Sequence, residues 1–414
     1  MIRSMYSALS GLRNHQVMLD VVGNDIANVS TVGFKSSSTV FSDVLTQTLN
    51  GASAPGAATG GTNPAQIGLG SRLSGTIQSF TQGAIQRTGR TTDLAIQGDG
   101  FFVVNQNGQQ MYTRAGSFTL DAAGNLATPD GGLVQGWQAN RAGVVDANGA
   151  TGAVQIRVGG LLPPNQTSRV DFGGNLSADA AVGTNQTLTV TAFDSLGAPI
   201  PLNLSFLKTA ANNWTVSATA GNPAVPVALT DADLTFDNLT GELAVPLDRN
   251  VNIAGGVIPG MPNPISLALG GATEPGRLTQ YAGSPSAGVK SQDGSAAGSL
   301  QSFTVAQDGT VVGSYSNGGT RPIGQVAMAV FTNPGGLERI AGAWRETPNS
   351  GLGQVGTAGG GGRGLLSVGT LEMSNVDLAE EFTRLIIAQR GFQGNARVVT
   401  TADEILQEVV NLSR

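Results

Sequence analysis

The first and last segments of the chain share a hydrophobic pattern that predicts two long helices. Apolar or small residues recur at alternating steps of four and three, which is the spacing of a coiled-coil seam. We predict one helix over residues 2–28 and a second one at the far end of the chain. The first seam contains Met5, Leu9, Leu12, Gln16, Leu19, Gly23 and Ile26. The second seam contains Leu378, Phe382, Leu385, Gln389, Phe392, Ala396, Val399, Asp403, Leu406 and Val410.

Turn and capping residues mark where these helices begin and end. Asn28 and the turn-favouring residues up to Gly33 end the first helix. Ser374 and Asp377 have the spacing of a capping box before the second helix. Two narrow apolar stripes at opposite ends of a chain are too long to be covered by one small core. We therefore expect the helices to pack on each other or on other copies of the chain.

Between the helices the pattern changes to an alternation of period two. Residues 76–80, 94–96, 101–104, 117–120 and 187–190 read as short strands. Asp-Gly and Asn-Gly dipeptides, such as Asn107-Gly108, separate strands of this kind. The pattern predicts a mainly β fold, with antiparallel all-β domains nested between the two terminal helices.

Two glycine-rich stretches, 51–61 and 356–364, flank the β region. Their composition is typical of flexible connectors. A second change of composition near residue 145 predicts an insert over 146–282. The chain ends would then come together, and the middle of the chain would project as a β arm.

Composition narrows the function classes. The chain has 414 residues, 12% charged residues, 60 glycines and a net charge of −6. This balance argues against a nucleic-acid partner. The absence of cysteine removes disulfides and zinc–cysteine sites. We predict no membrane insertion, because no stretch of 18 apolar residues occurs, and no secretory signal, because Arg13 and Asp20 interrupt the first twenty residues.

The candidate chemical motifs are weak. Asp231, Asp233, Asp237 and Glu242 match positions of a calcium loop, but Phe236 stands where that loop needs glycine. The single histidine, His15, lies near the first seam, where helix packing explains it better than metal binding. We predict no cofactor, no metal and no enzymatic activity. A secreted β-rich adhesin and a carbohydrate-active enzyme remain as alternative functions.

Three separated motifs resemble the bacterial flagellar rod and hook proteins. The first is the stretch 24–35, whose turn carries Asn28, Gly33 and Phe34. The second runs through Phe80-Thr81-Gln82-Gly83 to Tyr112-Thr113-Arg114-Ala115-Gly116-Ser117-Phe118. The third extends from Ser374 through Ala388-Gln389-Arg390 to Ala396. The segment 308–318 resembles the return segment of hook proteins, whereas the insert itself carries no matching motif. The presence of an insert favours a hook protein over a distal rod protein, which is usually shorter, and the distal rod protein remains an alternative.

The resemblance implies a structural subunit that polymerises into a short curved tube joining the rod to the filament. It also implies export without a cleaved signal, through the flagellar type III apparatus, to a site outside the cell. Implied partners are further copies of the chain, the distal rod protein, the hook cap and the hook–filament junction proteins. The implied domains are a helical assembly domain (1–30 with 370–414), a linker region (31–70 with 350–369), a first β domain (71–145 with 283–349) and an outer β domain (146–282).

Overall fold

The computed structural model describes residues 2–56, 60–140, 143–270 and 276–412. Parts of the predicted 51–61 connector and of the predicted 146–282 insert, namely 57–59 and 271–275, lie outside the described residues. The chain divides into two compact units. Unit 1 is drawn from 1–157, 303–312 and 322–414, and unit 2 from 158–302 and 313–321.

The two predicted terminal helices are confirmed as α1 (Ile2–Ala27) and α2 (Leu378–Leu412). Asp377 caps α2, since its Oδ1 accepts the N–H groups of Ala379 at 2.8 Å and Glu380 at 3.3 Å. The predicted capping role of Ser374 is wrong. Because α2 begins at Leu378, the residue directly before it reaches the free N–H groups of the first turn.

The remaining elements are short strands and one 3₁₀ turn (Pro334–Gly336). Unit 1 contains β1 (Ser37–Asp43), β2 (Thr46–Asn50), β3 (Ala65–Gly68), β4 (Ser71–Gln78), β5 (Ile85–Arg87), β6 (Leu94–Gln97), β7 (Phe101–Gln106), β8 (Gln109–Thr113), β9 (Thr119–Leu120), β10 (Leu126–Ala127), β11 (Leu133–Gln138) and β12 (Gly152–Ala153). Unit 2 contains β13 (Leu161–Leu162), β14 (Arg169–Asn175), β15 (Asn185–Phe193), β16 (Pro199–Ala210), β17 (Asn213–Ala220), β18 (Val225–Val227), β19 (Leu229–Thr230), β20 (Asp233–Phe236), β21 (Leu243–Val245), β22 (Asn250–Ile253), β23 (Ile265–Ala268), β24 (Leu278–Thr279) and β25 (Gly288–Gln292). The chain returns through β26 (Gly298–Val305), β27 (Thr310–Tyr315) and β28 (Thr320–Val326), and unit 1 ends with β29 (Met328–Val330), β30 (Glu338–Ile340), β31 (Ala343–Arg345), β32 (Gln354–Gly356), β33 (Leu365–Val368) and β34 (Thr370–Glu372).

Unit 1 is built on a sheet whose strand order includes β28-β11-β7-β8-β31-β30. Its core is aromatic: the ring centroids of Phe101 and Trp344 lie 5.4 Å apart, and those of Tyr112 and Phe331 lie 4.7 Å apart. Near the C-terminus, β33 pairs with β6 and β34 pairs with β5. The segment that leads into α2 is therefore part of unit 1.

Unit 2 contains two six-stranded sheets and a shared apolar core. Every second side chain in the middle of β16 is buried, including Leu202, Leu204 and Phe206, as the period of two predicts. The pairings of β15, β16 and β17 are antiparallel. The pairings of β14 with β23 and with β24 are parallel, so the antiparallel prediction needs this exception.

The two stretches read as connectors contain local structure. In the predicted linker 31–70, β2 pairs with β3, and β1 pairs with β4, which begins directly after the linker; both pairs are two-stranded ribbons. In the stretch 356–364, the Arg363 side chain donates to the carbonyl oxygens of Thr357 at 2.8 Å and Gln354 at 3.3 Å. This second stretch is a hydrogen-bonded turn.

Candidate assembly surface and its anchor

The two terminal helices pack on each other through small residues. A Cβ added to Gly11 would lie 2.5 Å from Nδ2 of Asn395, and one added to Gly391 would lie 2.4 Å from the His15 ring. From the first contact to the second, the residue number rises in α1, from Gly11 to His15, and falls in α2, from Asn395 to Gly391. The helices are therefore antiparallel. Ala388 and Ala402, seven residues to either side of Asn395, are also buried. This contact is too close for large side chains.

The predicted seam of α1 lies beside this contact line and not on it. Gly11 and His15, which contact α2, are each one residue before a predicted seam position, and the buried Ala8 and Val22 stand in the same relation to the seam. Leu9 is exposed, so this part of the seam is uncovered in the single chain. The other large members of the seam, Met5, Leu12, Leu19 and Ile26, are half-buried.

The predicted seam of α2 is uncovered over most of its length. Phe382 and Val410 are 51% and 59% exposed, and Leu378 and Phe392 are also exposed. Leu385, Val399 and Leu406 are half-buried. Since α1 occupies a different line on α2, Leu378, Phe382 and Phe392 keep surface that another molecule could contact.

Sequence reasoning missed a second set of exposed apolar residues on α2. Several of them are separated by 11, 7 and 4 residues, which is again a helical spacing. A search for more than one stripe would have found them. Together with Leu378, Phe382, Phe392 and Val410 they form the exposed apolar surface that we call the outer face. At 100° per residue this surface consists of two stripes, one on each side of the contact with α1. The additional members are Ile386, Ile387, Val398, Ile405 and Val409.

A polar strip also runs along α2. Arg390, Arg397, Glu404 and Glu408 are exposed and follow one another at steps of seven, seven and four. At 100° per residue these positions lie on the side of the helix roughly opposite Ala388. The helix thus offers both apolar and charged surface to solvent.

The predicted family-motif turn joins α1 to unit 1. The Asn28 side chain donates to the Asn24 carbonyl at 2.8 Å and accepts the Thr31 hydroxyl at 3.0 Å. Gly33 has a φ of 69°, and a Cβ there would lie 2.6 Å from the Ala115 nitrogen. The Phe34 ring is buried beneath the guanidinium of Arg339, 4.3 Å from its centroid. All three predicted turn residues therefore have a structural role here.

A buried ion cluster, which we call the clasp, fastens the two chain ends to unit 1. Glu372 accepts from Lys35 Nζ at 2.6 Å and from Arg114 Nη1 at 3.3 Å, and all three side chains are at most 2% exposed. Glu372 Oε1 also accepts the Gly83 N–H at 2.9 Å. Burial lowers the pKa values of Lys35 and Arg114, and the Glu372 carboxylate opposes this shift in both. Neither cation has another carboxylate partner at salt-bridge distance among the described residues.

The uncharged side chain of Asn375 makes further hydrogen bonds next to the clasp. Its Oδ1 accepts the Ser36 N–H at 2.8 Å, and its Nδ2 donates to the Ser79 carbonyl at 2.9 Å. One side chain just before α2 thus bonds to the residue before β1 and to the residue after β4. Together with the clasp it fixes the roots of both helices on unit 1.

The calcium-loop carboxylates have other partners. Asp237 Oδ1 accepts the N–H groups of Leu239 and Thr240 at 2.8 Å each, which closes a turn. Glu242 pairs with Arg277. Among the described residues no group of three or more potential metal ligands converges.

Comparisons with known proteins find matches over the full length of the chain. Four family models match it: flagella basal body rod protein over residues 5–35, flagellar hook protein FlgE/F/G D1 domain over 95–172, flagellar basal body protein FlaE D2 domain over 164–295, and flagellar basal body rod FlgEFG protein C-terminal over 367–412. The flagellar hook protein FlgE of Borreliella burgdorferi is 38% identical over 445 residues, covering 100% of both chains. The chain belongs to the flagellar hook protein FlgE family.

Other matches show how far this relationship extends. The flagellar basal-body rod protein FlgG of Bacillus subtilis is 33% identical over 417 residues and also covers 100% of both chains. The crystal structure of Helicobacter pylori flagellar hook protein FlgE2 matches with a TM-score of 0.53 at 14% identity, covering 70% of this chain and 100% of that chain. This last likeness concerns the fold alone and agrees with the mainly β prediction. Neither helix of the described residues has the length and hydropathy needed to cross a membrane.

Proposed function

We propose that the chain is a structural subunit that polymerises into the flagellar hook and has no enzymatic role. The uncovered outer face of α2 is the observation that carries this proposal. Extensive exposed apolar surface on a folded protein marks an interaction site. Membership in the FlgE family identifies further copies of the same chain as the occupant. The predicted seam residues, with the outer face, would then form the contacts between subunits.

In the proposed polymer the helical domain (1–30 with 370–414) forms the inner wall of a tube. The outer face packs on neighbouring subunits, while the charged strip from Arg390 to Glu408 faces the aqueous channel. The clasp and Asn375 hold both helix roots on unit 1, so torque passes from the tube to the β domains. The β domains (71–145 with 283–349, and 146–282) lie outside and slide past one another as the hook bends.

The proposed partners follow from the same assignment. They are the distal rod protein at one end, the hook cap and hook–filament junction proteins at the other, and the flagellar export apparatus during secretion. The proposed location is outside the cell, in the hook. The proposal includes no cofactor and no nucleic acid.

A distal rod protein is the second candidate, and the similarity to the rod protein FlgG favours it. Immunogold labelling of purified hook–basal bodies separates the two. The hook assignment predicts label along the curved segment outside the rod, whereas label confined to the rod would establish the second candidate.

Electron microscopy of the purified full chain at rising concentration tests the polymer proposal. We expect curved fibres or tubes, and we expect a chain ending at residue 377 to remain as single particles because it lacks α2. If the full chain stays single at every concentration under conditions in which both units are folded, self-assembly through α2 is refuted.

A further inference from the structure

Two buried carboxyl groups, one on each terminal helix, lie near the end of the helix pair that joins the strands of unit 1. Asp25, near the end of α1, is fully buried, and Glu381, in the first turn of α2, is 3% exposed. The contact between His15 and Gly391 fixes the register of the antiparallel pair. Both carboxyl groups lie ten residues from that contact, since 25 − 15 and 391 − 381 are both 10. The register therefore brings their two positions together.

Each carboxyl group keeps one buried oxygen without a hydrogen-bond partner among the described residues. Asp25 Oδ2 accepts the Ser37 N–H at 2.8 Å, but its Oδ1 has no such partner. Glu381 Oε1 accepts from Arg384 Nη1 at 3.1 Å, but its Oε2 has none. Two unpaired buried acceptors are costly. A proton on either group would remove its charge and turn one acceptor into a donor.

The charged groups around the pair do not neutralise it fully. Arg384 on α2 is shared between Glu381 and the exposed Glu380, with which it makes a 2.5 Å contact. Arg339 on β30 attracts Asp25 but is stacked on Phe34. Among the described residues, β1 presents to Asp25 only the Ser37 N–H as a hydrogen-bond donor.

The pKa directions agree with this geometry. Burial is the main factor that raises the pKa of Asp25, against the Ser37 N–H and the two arginines. Burial also raises the pKa of Glu381 most, and Arg384 opposes it. The charges of Asp25, Glu380 and Asp377 raise the pKa of Glu381 further.

We propose that Asp25 and Glu381 hold one proton between them, and that loss of this proton loosens the root of α2 from α1. When both groups are ionised, two like charges that act on each other are buried in the helix pair. As the pH rises, the contact between the helix pair and the strands of unit 1 therefore loosens. This loosening is a property of the single chain and does not depend on polymerisation.

The sign of the pH dependence follows from linkage. A carboxyl group whose folded pKa is raised holds its proton more tightly when folded than when the joint is open. Stability is therefore full below the ordinary carboxyl pKa of about 4, falls as pH rises to the raised value, and is level above it. Each unit of pKa difference changes the opening equilibrium about tenfold.

Hydrogen-exchange mass spectrometry of the dilute full chain tests the proposal. Exchange is measured from about pH 4.5 to about pH 8, the range in which carboxyl groups with a raised pKa titrate, and is corrected for intrinsic exchange rates. The readout is the protection of peptides covering 31–43, which include the Ser37 amide, and 378–392. We expect wild-type protection to fall about tenfold or more across this range. Glu381→Gln and Asp25→Asn should each flatten the profile and raise protection at the alkaline end.

Glu380→Gln is the matched control, because it removes an exposed charge bonded to the same Arg384. It should keep most of the wild-type slope, because burial and Asp25 raise the pKa of Glu381 more than Glu380 does. The proposal is overturned if Glu381→Gln retains that slope, if Glu380→Gln flattens it equally, or if wild-type peptides show no protection at any pH.

Discussion

Removing the carboxylate of the clasp should be far more damaging than removing an exposed one. Glu372→Gln leaves the side-chain shape but withdraws the counter-charge from Lys35 and Arg114, which are both buried. Removing one partner of a buried ion pair typically costs about 3–5 kcal/mol. Glu372 serves two cations and the Gly83 N–H, so we expect a value within that range. This corresponds to an increase of about a hundredfold to several thousandfold in local opening.

Hydrogen-exchange mass spectrometry at increasing urea measures this loss, because it follows each unit by its own peptides. Peptides of unit 1 around residues 31–37 and 80–84 should lose protection, whereas those of unit 2 should not change. The control is Glu338→Gln, which breaks the exposed 2.6 Å pair with Arg345 and should cost about 1 kcal/mol or less. Equal losses for the two variants would refute the view that the clasp anchors the chain ends.

Further substitutions test three individual contacts. Gly33→Ala should destabilise unit 1, by about 1–2 kcal/mol from backbone strain alone, as measured by urea unfolding. Gly394 has open space around it, so Gly394→Ala should stabilise α2 by up to about 1 kcal/mol. Gly391→Ala should not show this gain unless it is combined with His15→Ala. Equal shifts of the circular dichroism melting temperature for Gly394→Ala and Gly391→Ala would contradict the small-residue contact. Asn375→Ala should expose the 31–43 peptide to exchange, and unchanged protection would contradict its bridging role.

The elements themselves could be predicted because their residues record burial at a local period. Steps of four and three predicted both helices, and the predicted end of α1 is within one residue of the observed end. Alternation of period two predicted β15. The uncovered state of Phe382 also agrees with a seam intended for another molecule. These features depend on residues that are close in sequence.

The contact line and the clasp could not be predicted in the same way. The helices touch through Gly11, Gly391 and Ala388, and such small side chains give no hydrophobic stripe. Lys35 and Glu372 are separated by 337 residues, so no local pattern links them. In a chain with only 12% charged residues, charges inside otherwise apolar motifs were the one available signal.

Assembly of a single outer-face variant tests the central claim most directly. Phe382→Asp places a charge on the exposed apolar surface of α2, and Thr383→Asp places the same charge on the next, exposed residue. Sedimentation and electron microscopy of the purified full chains should show fibres for wild type and Thr383→Asp. Phe382→Asp should stay monomeric with both units folded. Normal fibres from Phe382→Asp would contradict the claim that the outer face of α2 holds the polymer together.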